Sequence, residues 1–217
     1  RSDSETELLG DICRVVVESG GYRMAWVGSA EQDPGKTIRP LVSWGSNDGY
    51  LADIKISWDA NSELGRGPTG AAIRSGQPQV NQNYLGNPQM APWREMALRH
   101  GYQSSIALPM MLADSGTFGA MMVYAREADA FAPEEVKLLL ELAHNMAFIE
   151  AGHSEGGHLA FGGAAMAAWQ GQPGFYVQPT LFTDTHNNMR INREEIFGPV
   201  ACVIRVRDAD EALAVAN

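Results

Sequence analysis

Few residues in this 217-residue chain have the type and spacing that metal binding or covalent catalysis requires. The two cysteines, Cys13 and Cys202, belong neither to a CxxC pair nor to a Cys/His set at zinc-ligand spacing. His153 and His158 are close in sequence, but no acidic or sulfur pattern completes a ligand set around them. The sequence therefore predicts no metal site, a buried structural Cys13, and histidines on the surface or in loops.

A glycine-rich run, Gly-Arg-Gly-Pro-Thr-Gly at residues 65–70, has the composition of a phosphate-binding loop. It lacks the Lys-Ser/Thr ending of that motif and does not follow a clear strand. A structural interpretation is favoured, in which the glycines permit a tight turn and Pro68 begins a helix. The alternative is that Arg66, beside the start of that helix, attracts an anionic group of a ligand.

Composition and charge limit the class of protein. Hydrophobic residues make up 45% and charged residues 19% of the chain, which is typical of a folded globular protein, and the net charge is −10. Because an acidic surface repels phosphate backbones and anionic lipid, we expect neither nucleic acid nor a membrane surface as a partner. The sequence has no apolar run of roughly 18–20 residues and no signal-peptide core, and its cysteine pattern suits a reducing compartment, which together favour the cytoplasm.

Hydrophobic periodicity and turn residues divide residues 1–150 into helices and strands. The predicted helices span 4–19, a short segment from Pro68, 92–100 and 133–149, and the predicted strands span 22–31, 38–45, 77–83, 102–112 and 117–127. A turn at 33–36 joins the first two strands in a hairpin. This order predicts an α+β domain with a complete core, in which a central antiparallel sheet is flanked by helices.

Residues 151–217 begin with a change in composition, to a glycine-rich segment without strong periodicity, and are predicted to form a second, incomplete α/β unit. A glycine-rich segment at 151–174 precedes a strand (175–184), a short helix (189–197), a strand (199–208) and a closing helix (208–217). So short a unit makes at most a marginal core alone. We therefore expect its apolar strands, at 175–182 and 201–206, to join the first sheet, pair with another chain or leave exposed edges.

Four long stretches of the first unit carry a family resemblance. They are GYRMAWVG (21–28), GRGPTGAAIRSGQPQVNQN (65–83), APWREMALRHGYQSSIALPM (91–110) and FGAMMVYAREADAFAPEEVKLLLELAHNMAF (118–148). Residues 5–149 thus resemble a GAF domain of the bacterial sensor histidine kinase and diguanylate cyclase type. The resemblance implies a signal-transduction sensor with a small-molecule pocket between the sheet and its middle helices, and a homodimer through the terminal helices. Bilin attachment uses a cysteine in the central region of the domain, which has none, and free methionine sulfoxide reduction needs several cysteines where only Cys13 is available.

Residues 151–217 resemble a stretch of the aldehyde dehydrogenase catalytic domain, above all in REEIFGPV (193–200). The resemblance implies that Glu195 would hold the nicotinamide ribose and Phe197 would pack near the nicotinamide ring. The family's catalytic cysteine, its companion glutamate and its dinucleotide-binding domain have no counterpart here, and Cys202 does not match the nucleophile. Because aldehyde oxidation requires both a thiolate and a bound nicotinamide, we expect a vestigial site, no cofactor and no enzymatic activity.

A ligand pocket in the first unit is the remaining candidate site. Aromatic residues supply its walls, and Tyr22, Tyr50, Tyr84 and Tyr102 belong to this aromatic set. On strands, Trp26 and Trp44 are predicted to fill the core. The candidate pocket residues lie on or beside the irregular middle segment: Trp58, Arg66, Asn81, Trp93, Ser104 and Ser105. A neutral ligand, an anion, a nucleotide or no ligand at all is compatible with this set.

The leading hypothesis is a non-catalytic regulatory domain that relays a signal through its terminal helices, 4–19 and 133–149, as in two-component systems. One alternative is a dehydrogenase fragment that retains weak contact with NAD(P). A second is a tail that acts only as a dimerisation element. The change of family near residue 151 indicates a chimera that arose by gene fusion, assembly error or design.

Overall fold

The computed structural model describes residues 3–112, 116–169, 172–194, 196 and 198–216. Its first two thirds hold five strands: β1 Met24–Ala30, β2 Ile38–Gly45, β3 Gln79–Asn81, β4 Ser104–Leu112 and β5 Gly116–Ala125. They form one sheet in the order β2-β1-β5-β4-β3, and every neighbouring pair is antiparallel. The predicted α+β class and antiparallel sheet are confirmed.

Helices cover both faces of this sheet. They are α1 Asp3–Gly20, α2 Tyr50–Asp53, α3 Pro68–Ser75, α4 Ala91–Arg99 and α5 Pro133–Ser154. Pro68 occupies the first position of α3, as predicted, because its fixed φ suits a helix start and it has no N–H to leave unpaired. The predicted end of α5 at 149 is wrong. The helix continues to Ser154 because the first residue that breaks the helical backbone is Gly156, at φ +92°.

Side chains of the strands alternate between two separate cores, as the two-residue period of a strand requires. Ala25 and Val27 of β1 face α1 and α5, together with Val123 of β5. Met24 and Trp26 face the opposite side, where α3, α4 and the irregular middle segment cover them. The sheet therefore separates a terminal-helix core from an aromatic core.

The C-terminal part builds small sheets of its own. Its elements are β6 His158–Phe161, β7 Ala165–Trp169, β8 Gln172–Val177, β9 Thr180–Thr185, β10 Val200–Ile204 and α6 Ala209–Ala216. Strands β10-β9-β6 form one sheet, with β9 and β10 parallel, and β7 pairs with β8 in a hairpin. This fragment is only part of an α/β domain.

Two sequence predictions for this fragment are wrong. In the described residues of the segment predicted as a helix at 189–197, the structure has a 3-10 turn at Arg190–Asn192 and no α-helix, since so short a helix is marginal and tertiary contacts decide its conformation. One such contact is the backbone N–H of Arg190, which donates to the Glu155 carboxylate at 2.8 Å. The single strand predicted at 175–184 is two strands, β8 and β9, which belong to different sheets, because the chain turns between them. The glycine-rich segment also contains β6 and β7, which have no strand signal in the sequence.

The fragment packs against the outer side of α1 and α5 instead of joining the first sheet. Phe182 of β9 is fully buried, and its ring lies against the backbone of Gly152 in α5. Met189 and Ile191 are buried in the terminal-helix core. Strand β10 stays at the sheet edge and Val203 is 48% exposed, so the exposed edge expected at 201–206 is observed.

Candidate functional site

A cavity of about 20 Å³, enough for one water molecule, lies in the aromatic core between the sheet and its covering segment. The rings of Tyr50, Tyr84 and Tyr124 line it, and Trp93 of α4 forms another wall. The start of α3 closes one side with the backbone of residues 67–70. Gly67 is required there, since a Cβ at this position would lie 2.6 Å from the Trp93 ring.

The hydrogen bonds that reach the Tyr124 hydroxyl at the cavity are long. The Tyr50 hydroxyl and the Trp26 indole N–H both donate to the Tyr124 hydroxyl at 3.4 Å, which is long for such bonds. The hydroxyls of Tyr84 and Ser105 lie 3.0 Å apart. Buried polar groups in native proteins have good partners as a rule, so these hydroxyls can bind an additional polar atom in the cavity.

Burial keeps these hydroxyls neutral. It raises the pKa of Tyr50 and of Tyr84 well above the ordinary value of 10.0, and it also raises the pKa of Tyr124. No charged side chain lines the cavity within the described ranges. The site therefore offers neutral hydrogen-bond donors in apolar surroundings.

A groove of about 400 Å³ adjoins the cavity. It runs between β2 and the segment that follows α2. Ile54, Ile56 and Leu64 line both the groove and the cavity, so these three aliphatic side chains are shared walls. The groove alone falls within the range of roughly 300–1,000 Å³ that is typical of ligand pockets.

Three of the six predicted pocket residues lie at or near the cavity. Trp93 lines it, and its indole N–H donates to the Lys55 carbonyl at 3.1 Å. Ser105 contacts the Tyr84 hydroxyl from β4. Asn81 is paired with Ser105 across the strands, and its Nδ2 is buried without a hydrogen-bond partner.

The structure places the other three elsewhere. Ser104 points to the opposite face of the sheet, where its hydroxyl donates to the Glu127 carbonyl at 2.7 Å. Trp58 lies outside the cavity, and its indole N–H donates to the Glu31 carbonyl. Arg66 is exposed and donates to the Ala60 carbonyl at 3.3 Å.

Other sequence predictions have mixed outcomes. Trp26 is a core residue as expected, but Trp44 is 42% exposed because its side of β2, an edge strand, has little cover. Glu195 and Phe197, the residues implied by the dehydrogenase resemblance, lie outside the described residues. Tyr124 was not predicted as a site residue. The alternation of β5 could have identified it, since Tyr124 shares a face with the buried Met122.

The two thiols are poor nucleophiles. Cys13 is buried in α1, and burial raises its pKa from 9.0 to about 12. Burial also raises the pKa of Cys202, whose thiol donates to the Ile191 carbonyl. Neither thiol is a thiolate at neutral pH, which nucleophilic attack requires. In the described part of the chain no three His, Cys, Asp or Glu side chains converge as metal ligands.

An antiparallel sheet with a small site under its covering helices defines the fold class of a sensory, small-molecule-binding domain. The GAF domain family model matches residues 2–149, and the chain belongs to this family. A GAF domain from a Coxiella burnetii phosphoenolpyruvate-protein phosphotransferase superposes with a TM-score of 0.56 at 15% identity, over 71% of this chain and 88% of that one. Free methionine-R-sulfoxide reductase from Neisseria meningitidis superposes with a TM-score of 0.55 at 18% identity, over 69% of this chain and 81% of that one. These similarities concern the fold alone.

The C-terminal residues match a different family. The aldehyde dehydrogenase family model covers residues 141–217. Alpha-ketoglutarate semialdehyde dehydrogenase of Haloferax volcanii is 46% identical over 77 residues, which are 36% of this chain and 16% of that enzyme. Betaine aldehyde dehydrogenase of Agrobacterium fabrum is 50% identical over 72 residues, which are 33% of this chain and 14% of that enzyme. The chain therefore contains only a short fragment of a dehydrogenase.

No helix in the parts of the chain that the structure describes combines the length and the apolar composition needed to cross a membrane.

Proposed function

We propose that the chain is a non-catalytic sensor domain that binds a small molecule between its sheet and the segment from α2 to α4. The observation that carries this proposal is the cavity in which Tyr50, Tyr84 and Tyr124 present neutral hydroxyls. Such a site has donors for a ligand but no nucleophile, metal set or titrating acid–base pair for a reaction. We further propose a cytoplasmic location, which the cysteine usage favours.

The signal would pass from the cavity to α5 through a hydrogen-bonded connection. Gln82 lies two residues before Tyr84, and its side-chain amide donates to the Phe131 carbonyl at 2.7 Å. The Phe131 ring stacks on Tyr22 with centroids 5.5 Å apart. The Tyr22 hydroxyl then donates at 2.5 Å to Glu135 in the first turn of α5. A ligand that moves Tyr84 would thus displace the start of α5.

The dehydrogenase-like fragment has no catalytic part in this proposal. Its thiol, Cys202, is protonated and donates to a backbone carbonyl. A homodimer through the terminal helices, as the resemblance implies, would have to use the surfaces of α1 and α5 that the fragment leaves open. The fragment therefore acts as a structural cover of these helices.

The proposal can be tested by NMR of methionine methyl groups. The probe set consists of para-ethylphenol, para-ethylbenzoate, para-ethylbenzylamine and cyclic AMP. We expect at least one probe to shift Met90 and Met122, which line the cavity, and also Met146, which is buried on α5 behind the sheet. If no probe shifts Met90 or Met122, ligand binding at this site is refuted.

The relay requires a separate variant. In Gln82→Leu the same probe should still shift Met90 and Met122 but should leave Met146 unchanged, because the link to Phe131 is removed. The matched control is Gln79→Leu, since the side-chain amide of Gln79 on β3 donates to nearby groups, the Ser75 hydroxyl and the Gln77 carbonyl. If the probe still shifts Met146 in Gln82→Leu as much as in the unmodified chain, this route is refuted.

A further inference from the structure

The polar character of the cavity narrows the ligand class. Its hydrogen-bonding side chains include the hydroxyls of Tyr50, Tyr84 and Tyr124 and that of Thr69, and none of the described side chains around it is charged. A carboxylate, phosphate or ammonium placed there would lose its hydration without gaining an opposite charge. Such a transfer is far more costly than burial of a neutral hydroxyl or carbonyl that finds a hydrogen-bond partner.

The size of the cavity fixes how much of the ligand enters it. A space of about 20 Å³ accommodates one oxygen atom and not a ring. The ring or chain that carries this oxygen must lie in the adjoining groove of about 400 Å³. Ile54, Ile56 and Leu64 form the shared wall, so small side-chain movements at these three positions would connect the two spaces.

The arrangement of donors fits a single oxygen acceptor. The long hydrogen bonds to Tyr124, both 3.4 Å, leave the hydroxyls of this cluster available for a better partner. The cation nearest to this region in sequence is Lys55, which lies between Ile54 and Ile56 and lines the groove but not the cavity. The guanidinium of Arg74 is bonded to the carbonyls of Trp58 and Gly65. Neither Arg66 nor Arg74 lines the cavity.

We propose that the site recognises an uncharged, oxygen-bearing organic molecule, which inserts a hydroxyl or carbonyl oxygen among Tyr50, Tyr84 and Tyr124 and lays its apolar body in the groove beside β2. This inference rests on the proposed sensor function and adds the ligand class to it. We therefore expect nucleotides and carboxylates not to bind in the cavity, because no charged side chain lines it in the described ranges. The groove side chains Ile54, Ile56 and Leu64 contact the apolar body.

Three probes of matched shape test the ligand class on the intact chain: para-ethylphenol, para-ethylbenzoate and ethylbenzene. We expect para-ethylphenol to bind most tightly, about threefold to tenfold more tightly than ethylbenzene, because one neutral hydrogen bond is gained. The benzoate should show no saturable shift of the Met90 and Met122 methyl signals. Calorimetric titration provides the dissociation constants.

A tyrosine variant tests whether the ligand oxygen binds at the hydroxyl of Tyr124. Tyr124→Phe should weaken the binding of para-ethylphenol by about threefold to tenfold and leave the affinity for ethylbenzene unchanged. The matched control is Tyr176→Phe, at a half-buried tyrosine of β8, which should change the affinity for neither para-ethylphenol nor ethylbenzene. The ligand series on the unmodified chain decides the matter even if Tyr124→Phe does not fold.

The outcomes separate the two proposals. If para-ethylbenzoate or cyclic AMP binds in the cavity more tightly than para-ethylphenol, the ligand class is wrong while the sensor function stands. If ethylbenzene binds as tightly as para-ethylphenol, the proposed role of the tyrosine hydroxyls is overturned. If no probe of any charge shifts Met90 or Met122, the sensor function itself fails.

Discussion

At the scale of single residues, tyrosine hydroxyls and one thiol have the most perturbed environments. Tyr102 belongs to the same cluster as Tyr50 and Tyr124, with ring centroids 5.0 and 4.6 Å away. Its hydroxyl donates to the Ser46 carbonyl, which ties the sheet to the loop before α2. On the opposite face, Cys13 is enclosed in the terminal-helix core. Both cores thus hold acids that remain protonated while the chain is folded.

Stability should therefore fall as the pH rises above about 9. The folded state raises the pKa of Cys13 from 9.0 to about 12, so its stabilising contribution is complete below pH 9 and is lost as the pH approaches 12. Between pH 8 and 10 the unfolded state releases the thiol proton first. We expect the free energy of unfolding, measured by urea titration, to fall with pH, and Cys13→Ala to reduce that slope by up to about 1 kcal/mol per pH unit.

The pH dependence of the free energy of unfolding separates the titration of the Cys13 thiol from the packing defect that Cys13→Ala introduces. Loss of the sulfur atom lowers stability at every pH, whereas loss of the titrating group changes only the dependence on pH. Parallel curves for Cys13→Ala and the unmodified chain would contradict the role of the thiol.

At the scale of elements, helix α5 carries the most instructive packing. Gly152 lies within this helix, although glycine weakens helix interiors. A Cβ at Gly152 would be 2.8 Å from the Phe182 ring, and His153 contacts the same ring edge-to-face at 5.4 Å. Glycine is therefore present at this position because β9 approaches the helix closely.

Two alanine substitutions in helices separate propensity from this contact. Gly10→Ala in α1 should stabilise the fold by about 0.5–1 kcal/mol, because nothing lies within 4 Å of the added Cβ. Gly152→Ala gains the same helix propensity but should destabilise the fold by about 1–2 kcal/mol net, because the Phe182 ring must move. Thermal denaturation of both variants measures the difference, and equal stabilisation would disprove the close approach.

Sequence reasoning predicted the elements whose signals are local. The hairpin turn at 33–36 and the start of α3 at Pro68 depend on nearby residues, and both are observed. The segment at 189–197 depends on tertiary contacts such as Glu155 with Arg190, which a single sequence does not reveal.

The site was predictable in kind and not in detail. The aromatic composition of the middle segment indicated a pocket, and Trp93 is one of its walls. Whether Ser104 or Ser105 faces the pocket depends on strand register, because neighbouring residues point to opposite sides. Turn and helix signals do not fix that register, so the sequence could not distinguish the two serines.

At the scale of the whole molecule, the two family segments share one core. Phe182 and Ile191 of the fragment are buried with Leu142 and Met146 of α5. The ion pair between Arg190 and Glu155, 3.7 Å long and mostly buried, lies at the edge of this contact. The dehydrogenase-like fragment is therefore anchored to the GAF domain rather than tethered to it.

Limited proteolysis tests this anchoring. In the unmodified chain we expect trypsin to cleave slowly at Arg190 and Arg193, because the fragment is packed on α5. Phe182→Asp places a charge in the shared core and should speed cleavage there about tenfold or more, since a buried unpaired charge costs several kcal/mol. Mass spectrometry of the digestion time course identifies the sites.

Phe161→Asp is the matched control, because it introduces the same charge in the same fragment at a side chain that is 56% exposed. Its cleavage rate should equal that of the unmodified chain. Equal rates for all three proteins would mean that the fragment is not held by Phe182.

The shared helix has an evolutionary consequence. Leu142, Met146 and Ile149 lie on α5 within the GAF family segment, yet the fragment contributes to their cover. A mutation that introduced a stop codon after residue 150 would remove this cover and leave an apolar strip on the surface, which lowers solubility. Selection would therefore retain the fragment for the protection it gives, whatever its origin.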